Sequence, residues 1–279
     1  MNAPLEITGL TKIFSTPAGP FVAVEKFEAS IEKGEFVCLL GHSGCGKSTV
    51  LSLIAGLEKA SSGSIYVEGK AVNSPGTDRG VVFQAPCLLP WLSAEENVIL
   101  AVGQVFPQYG RKRQREHAQR YLQMVGVEEF VHQTPGELSL GVQQRVSLAR
   151  ALALEPRFLL LDEPFGMLDS LTRFELQDTL LKVWDQTHKT VLMVTHDVDE
   201  ALYLSDRLLL MTDGPGGRVG RVISLPFARS RERASVLEHH QYYPLRESIF
   251  NFLEDHAAQS SIGRVSRDVR NAAGRELLV

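Results

Sequence analysis

Gly41-His42-Ser43-Gly44-Cys45-Gly46-Lys47-Ser48 is the stretch on which the reading of this sequence turns. It fits the pattern G-x-x-x-x-G-K-[ST] and stands between the apolar run Phe36–Leu40, which reads as a buried strand, and Ser48–Leu57, which reads as a helix. That setting gives the pattern physical sense. The glycines let the loop curl until successive backbone N–H groups point inward at phosphate oxygens, and the helix aims the positive end of its dipole at the same place. Lys47 then reaches the outer phosphates, and Ser48 sets its hydroxyl on Mg²⁺. The cradle comprises Gly41, His42, Ser43, Gly44, Cys45, Gly46, Lys47, Ser48 and Thr49, with Cys45 a small space-filling residue.

Working outward, Leu159-Leu160-Leu161-Asp162-Glu163 reads as the end of a second buried strand that closes on two acids. Beside a phosphate loop, Asp162 is placed to hold Mg²⁺ through water, and Glu163 to orient and polarise an attacking water as general base. Thr190–Thr195 and Arg207–Thr212 read as further strands, with helical patterns over Thr172–Trp184 and Val198–Leu204. Alternating strands and helices predict a mostly parallel sheet covered on both faces. Leu5–Thr8, Val22–Ile31 and Gly63–Glu68 are strand-like and separated by turn residues, which predicts an antiparallel β region at the N-terminus.

Residues 87–156 carry helical patterns at Glu96–Val105 and Arg111–Val125 and no clear strand beyond the first positions, so a helical subdomain is inserted there. Gly214-Pro215-Gly216-Gly217 reads as a tight turn linking two strands. The expected division is a unit over residues 1–226 and an extension over 227–279, the latter with an amphipathic helix near Tyr243–Leu253 and little periodicity in its last 20 residues.

Composition narrows the class. The chain has 279 residues, 44% of them hydrophobic and 22% charged, with 29 Lys and Arg against 33 Asp and Glu. That balance excludes a disordered chain, a fibre and a strongly basic nucleic-acid binder. No apolar run approaches the roughly 20 residues of a membrane-spanning helix, and the first residues lack the basic start and apolar core of a signal peptide. Cys38, Cys45 and Cys87 offer neither a disulfide framework nor a Cys-x-x-Cys spacing. The expectation is a soluble cytosolic protein that reaches a membrane only by binding something already there.

Further residues fall at the positions of one family. Glu137-Leu-Ser-Leu-Gly-Val-Gln-Gln-Arg145, shortly before the acidic strand, resembles the signature motif of ABC-transporter ATPases. Gln84 after Val81-Val82-Phe83 resembles that family's Q-loop glutamine, Leu168-Asp169 its D-loop, and His196 its switch histidine. The resemblance runs from about Leu5 to Thr212. It implies an α/β P-loop NTPase cassette with a RecA-like parallel-sheet core, an N-terminal antiparallel β region and an inserted helical subdomain. It also implies ATP and Mg²⁺ as cofactors. Phe14 would stack on adenine, with Phe21 the competing candidate. Gln84 would touch Mg²⁺ or water, and His196 would hydrogen-bond the γ-phosphate. Catalysis then rests on Glu163, His196 and Lys47, and metal binding on Ser48, Gln84 and Asp162. Ser139 and Gly141 would contact the nucleotide held by a second ATPase subunit, identical or different.

One departure stands out: Leu140 replaces the signature's first glycine and Val142 its final glutamine. A leucine there restricts φ and adds bulk, which leaves open a catalytically weak half of a heterodimeric pair. Thr16–Ala23, Leu88-Leu89-Pro90-Trp91-Leu92, Thr212–Gly220 and His239–Arg246 look like the subfamily that powers import of nitrate and related anions; taurine, sulfonate, cyanate and bicarbonate remain alternatives. The resemblance implies transmembrane permease subunits, a solute-binding protein met indirectly, no nucleic acid, and a place on the cytoplasmic face of the bacterial inner membrane. Leu88 and Leu89 suit a permease groove or packing into the helical subdomain about equally, and Trp91 leans towards the groove. The run Arg111-Lys112-Arg113-Gln114-Arg115 reads as a solvated helix face.

Overall fold

The structure, a computed structural model, describes residues 3–229 and 231–256. In chain order it contains β1 (Leu5–Thr16), β2 (Gly19–Ile31), β3 (Phe36–Leu40), α1 (Lys47–Ala55), β4 (Ser62–Val67), β5 (Lys70–Ala71) and β6 (Arg79–Val82). There follow α2 (Ala94–Val105), α3 (Arg111–Met124), α4 (Leu140–Leu152), β7 (Phe158–Asp162), α5 (Ser170–Thr187), β8 (Thr190–Thr195), α6 (Val198–Leu204), β9 (Arg207–Met211), β10 (Val219–Ser224) and α7 (Arg233–Leu237). Residues 242–256 are helical as well, and we call this helix α8.

The strands divide into two sheets. β2-β1-β4-β5 is antiparallel, and β10-β9-β3-β8-β7-β6 is parallel apart from its β10 edge. Within the parallel sheet, successive side chains alternate between faces, as the period of two requires. On β3, Phe36, Cys38 and Leu40 face α5 and α6, Phe36 meeting Trp184 edge-on with ring centroids 5.5 Å apart, while Val37 and Leu39 pack with α1 and the antiparallel sheet. β7, β8 and β9 alternate in the same way: Leu159 and Leu161 against Phe158 and Leu160, Val191 and Met193 against Leu192 and Val194.

Several sequence expectations shift in detail. β1 runs on to Thr16 instead of stopping at Thr8, because its pairing with β2 continues through register irregularities at Ile7/Leu10, Leu10/Lys12 and Lys12/Ile13. α1 ends at Ala55, where Gly56 adopts φ +76° and caps it. β6 joins the parallel sheet beside β7, and no sequence expectation named it. α2 starts two residues earlier than its apolar pattern, because Ser93 and Glu96 form a reciprocal capping box. The expected amphipathic helix of the extension is α8. Phe227, Val236, Tyr242, Ile249 and Leu253 bury into the same core as α5, α6 and the inserted helices. The expectation of weak periodicity in the last 20 residues falls outside the described residues.

Candidate nucleotide site

The loop between β3 and α1 is shaped from behind. Gly46 has φ +104°, and a Cβ there would lie 2.7 Å from the Ala23 carbonyl oxygen of β2. Only glycine meets both demands. Lys47 is 4% exposed and points into the loop, its ammonium donating to the carbonyls of Gly41 (2.8 Å) and His42 (2.9 Å). His42 Nδ1 lies 2.9 Å from Asp213 Oδ1, which ties the loop to the turn after β9. Nothing in the motif pattern marked Asp213; its position in the turn that crosses the loop was the missing information.

Ser48, one residue on, donates from Oγ to Asp162 Oδ1 at 2.9 Å, so the first turn of α1 meets the end of β7. Burial pushes the Asp162 carboxyl up from its ordinary value and the Glu163 charge adds to this, against the Ser48 hydrogen bond and the Lys47 charge. Glu163 takes φ +44°, a left-handed conformation rare outside glycine, while its N–H donates to Val194 O at 3.0 Å. Its carboxylate Oε2 then faces His196 Nδ1 at 3.1 Å. The side-chain amide of Gln84 comes to the same turn: a Cβ on Gly166 would stand 3.2 Å from Gln84 Nε2 and 3.7 Å from Glu163 Oε2. The structure thus brings Lys47, Ser48, Gln84, Asp162, Glu163 and His196 together at the C-terminal ends of β3, β6, β7 and β8.

Further side chains hold this arrangement. Gln144 is buried and donates to Phe83 O (3.1 Å), while Arg150 donates to Pro86 O (2.9 Å) and Cys87 O (2.8 Å), so α4 grips both sides of Gln84. Under His196, Glu200 is 7% exposed; its Oε2 accepts from Thr195 Oγ1 (2.8 Å) and its Oε1 from Gln177 Nε2 (3.2 Å). Thr195 Oγ1 in turn accepts from the Asp197 N–H at 3.0 Å. Burial raises the Glu200 carboxyl from 4.5 to about 7, reinforced by the Asp197 charge. Asp197 and Asp169 cap α6 and α5.

The remaining expected residues lie apart from this centre. Ser139 is the exposed N-cap of α4, its Oγ accepting from Val142 N–H at 3.3 Å. Gly141 is buried, and a Cβ there would run into Thr172 at the start of α5. Leu140 is the first residue of α4 and is partly buried against the core. The φ restriction expected of a leucine therefore does not arise, since it is not among the positive-φ residues. Phe14 is half-buried beneath Lys12, whose ammonium sits 4.7 Å from the ring centroid, and pairs across the strands with Phe21, which is 45% exposed.

Asn97 pins the segment before α2: its side chain accepts from Leu89 N–H (2.8 Å) and donates to the carbonyls of Leu89 and Leu92. Leu88 packs against the core, and Trp91 is left 72% exposed. The basic run at the start of α3 is largely partnered, with Arg113 over Tyr109, Arg115 on Glu95 and Lys112 near Glu116.

A phosphate loop at the C-terminal end of a central parallel strand, two acids ending the next strand but one and a histidine ending the strand between them define an ATP-binding cassette. The chain belongs to the ABC transporter family, which residues 24–166 match. It is 48% identical to the nitrate import ATP-binding protein NrtD of Synechococcus elongatus over 242 residues, 87% of this chain and 88% of that protein. It is 47% identical to the bicarbonate transport ATP-binding protein CmpD of the same organism, over 89% of this chain and 90% of that one. The nitrate import ATP-binding protein NrtC of a Synechocystis strain is 43% identical over 98% of this chain, which spans 41% of that longer protein. Among solved structures, the dimeric post-hydrolysis state of the ATP-binding cassette MJ0796 bound to ADP and Pi has a TM-score of 0.70 at 33% identity, covering 80% of this chain and all of that one. Among the described residues no helix is long and apolar enough to cross a membrane.

Proposed function

We propose that this chain is the ATP-hydrolysing subunit of an importer for a small oxyanion, nitrate first. The observation that carries the motor is the meeting of Glu163 and His196 at 3.1 Å beside the Ser48–Asp162 pair at 2.9 Å. Lys47 already donates to two neutral carbonyls inside the loop, and an anionic phosphate offers a stronger, charge-assisted acceptor. Glu163, set sideways by its backbone, takes the proton of the attacking water, and His196 steadies the transferred phosphoryl group by hydrogen bonding. Phe14, with Phe21 beside it, supplies an aromatic face for the adenine.

Mg²⁺ fits the donor set. Ser48 and Asp162 present hard oxygen ligands side by side with the Gln84 amide near, and the described residues hold no cluster of three His, Cys, Asp or Glu. That suits an ion shared with phosphate oxygens rather than caged by protein. Ser48, Asp162 and Gln84 would hold it, and it would neutralise charge on the phosphates.

Ser139 and Gly141 would complete the site of a second ATPase subunit, for which the exposed start of α4 is suited. Trp91, held outward beside Gln84's loop, would meet a permease at the cytoplasmic face of the membrane, and a solute-binding protein would deliver the anion. Residues 1–226 would form the motor, with the helical insert at about 87–156, and 227–279 an extension. Nitrate rests on the 48% identity to NrtD, and bicarbonate is the second reading on the 47% identity to CmpD. The test is reconstitution with its permease in vesicles: MgATP hydrolysis that collapses in Glu163→Gln supports the motor, and hydrolysis that survives it ends that reading. Gene deletion decides the cargo, since unchanged nitrate uptake with lost bicarbonate uptake reverses the order.

A further inference from the structure

After β10 the chain folds back across α5 and α6. Arg231 donates to Ser205 O (2.9 Å) and Asp206 Oδ1 (2.6 Å) just past the end of α6. Arg233 donates to Asp178 Oδ1 (2.9 Å) and Gln177 Oε1 (3.0 Å) on α5. From α8, Tyr242 Oη donates to Asp199 Oδ1 at 2.7 Å, while Arg246 reaches the same carboxylate with Nε (2.7 Å to Oδ1) and Nη2 (3.2 Å to Oδ2).

Asp199 stands in the first turn of α6, three residues beyond His196. That turn is continuous with the chain of hydrogen bonds around His196, from Glu200 to Thr195 Oγ1 and from there to the Asp197 N–H. Asp197 is also 3.4 Å from Arg173 of α5. Displacing the first turn of α6 therefore moves the residues on both sides of the histidine.

Apolar packing anchors α6 and the extension on their inner faces, through Val198, Val236, Tyr242 and Ile249, and leaves the outer face of the first turn of α6 free of it. A cavity of about 280 Å³, whose lining includes Phe174, Asp197, Asp199, Glu200, Val236 and Tyr242, lies between the extension and the facing sides of α5 and α6. What crosses the gap beside it is the polar clamp on Asp199. The Arg246 and Asp199 side chains are 39% and 51% exposed, so the pair contributes little to overall stability. Burial works against the Asp199 charge, yet the Arg246 and Tyr242 hydrogen bonds hold its carboxyl below the ordinary value.

We propose that Tyr242 and Arg246 are positioning residues for His196, acting through Asp199 to fix the first turn of α6 and the loop that presents the histidine to Glu163. The proposal rests on the assignment of His196 to hydrolysis made above. It gives the extension a part in the motor.

The test is steady-state MgATP hydrolysis by the full-length chain. Arg246→Ala should lower kcat about tenfold with KM for ATP within twofold, because the defect lies in placement and not in nucleotide binding. Tyr242→Phe, which keeps the ring in the core, should show a smaller fall, and Arg246→Lys should recover part of the loss. In a His196→Ala background, Arg246→Ala should add nothing, which a merely structural role would not produce. His196→Ala alone separates the two readings. If it leaves kcat unchanged, the site assignment fails. If it lowers kcat while Arg246→Ala and Tyr242→Phe do not, the clamp alone is overturned. A loss in Arg246→Ala that adds in full to His196→Ala, or that tracks a lowered melting midpoint, also overturns it.

Discussion

Glu163 Oε2 and His196 Nδ1 lie 3.1 Å apart across adjacent parallel strands, although 33 positions separate them in the chain. β7 and β8 end level with each other, with Asp162 opposite Val194, so the residues that follow each strand emerge side by side. The left-handed backbone of Glu163 then turns its carboxylate towards the histidine.

From this pairing, Glu163→Gln keeps the shape and the hydrogen-bonding reach but removes the base. Turnover of MgATP should fall by about 10²–10⁴, with ATP affinity changed only a few-fold. Phosphate release and fluorescent-nucleotide binding, measured on the same preparation, check both halves. Equal losses in both would point to a binding role instead.

Gly46→Ala addresses the loop. The added methyl would press on the Ala23 carbonyl at 2.7 Å in a backbone that L-residues rarely adopt. We expect a destabilisation of about 1–3 kcal/mol together with loss of nucleotide binding, read by denaturant unfolding and by titration. Gly44→Ala, where no atom lies within 4 Å, should bear only the φ cost.

Glu200 predicts a pH dependence. Its carboxyl rises from 4.5 to about 7 on folding, chiefly through burial. Between those values the folded chain binds more protons than the unfolded one, so this residue's contribution to stability falls as pH rises from about 4.5 to about 7 and is level beyond. The integrated effect is about 3 kcal/mol. Glu200→Gln should remove that decline, making the variant relatively more stable at pH 8 than at pH 5 when unfolding is compared with the parent chain. A difference between the two that is independent of pH would refute it.

Trp91→Ala should separate motor from coupling. The indole is 72% exposed and its loop is held by Asn97 rather than by the indole itself. Basal hydrolysis and melting of the isolated chain should stay within experimental scatter, while permease binding weakens at least tenfold, the range of an aromatic hot spot. Unchanged permease affinity would move the interface elsewhere.

Much of this was legible in the sequence for a clear reason. Lys47, Ser48, Asp162 and Glu163 follow unbroken apolar strands, where the change from buried to polar marks a strand end without knowledge of the fold. β6 was not legible, because Arg79-Gly80-Val81-Val82 is short, and its place is set by pairing with β7. The roles of Asp213, Gln144 and Arg150 were hidden for a related reason: each acts on a loop distant in sequence, so no local period announces it. Leu140 shows the opposite failure. A local rule about glycine suggested strain, whereas its place in the first turn of α4 makes leucine ordinary there.

The alternation along β3, β7, β8 and β9 gives the sheet a mechanical character. Even positions on β3 face α5 and α6, and odd positions face α1 and the antiparallel sheet behind the phosphate loop. The two layers therefore share one floor but no side chains of that strand. A change of side chain at Phe36, Cys38 or Leu40 would be felt in one layer and a change at Val37 or Leu39 in the other, so the strand insulates the packing behind the loop from the packing beneath the histidine.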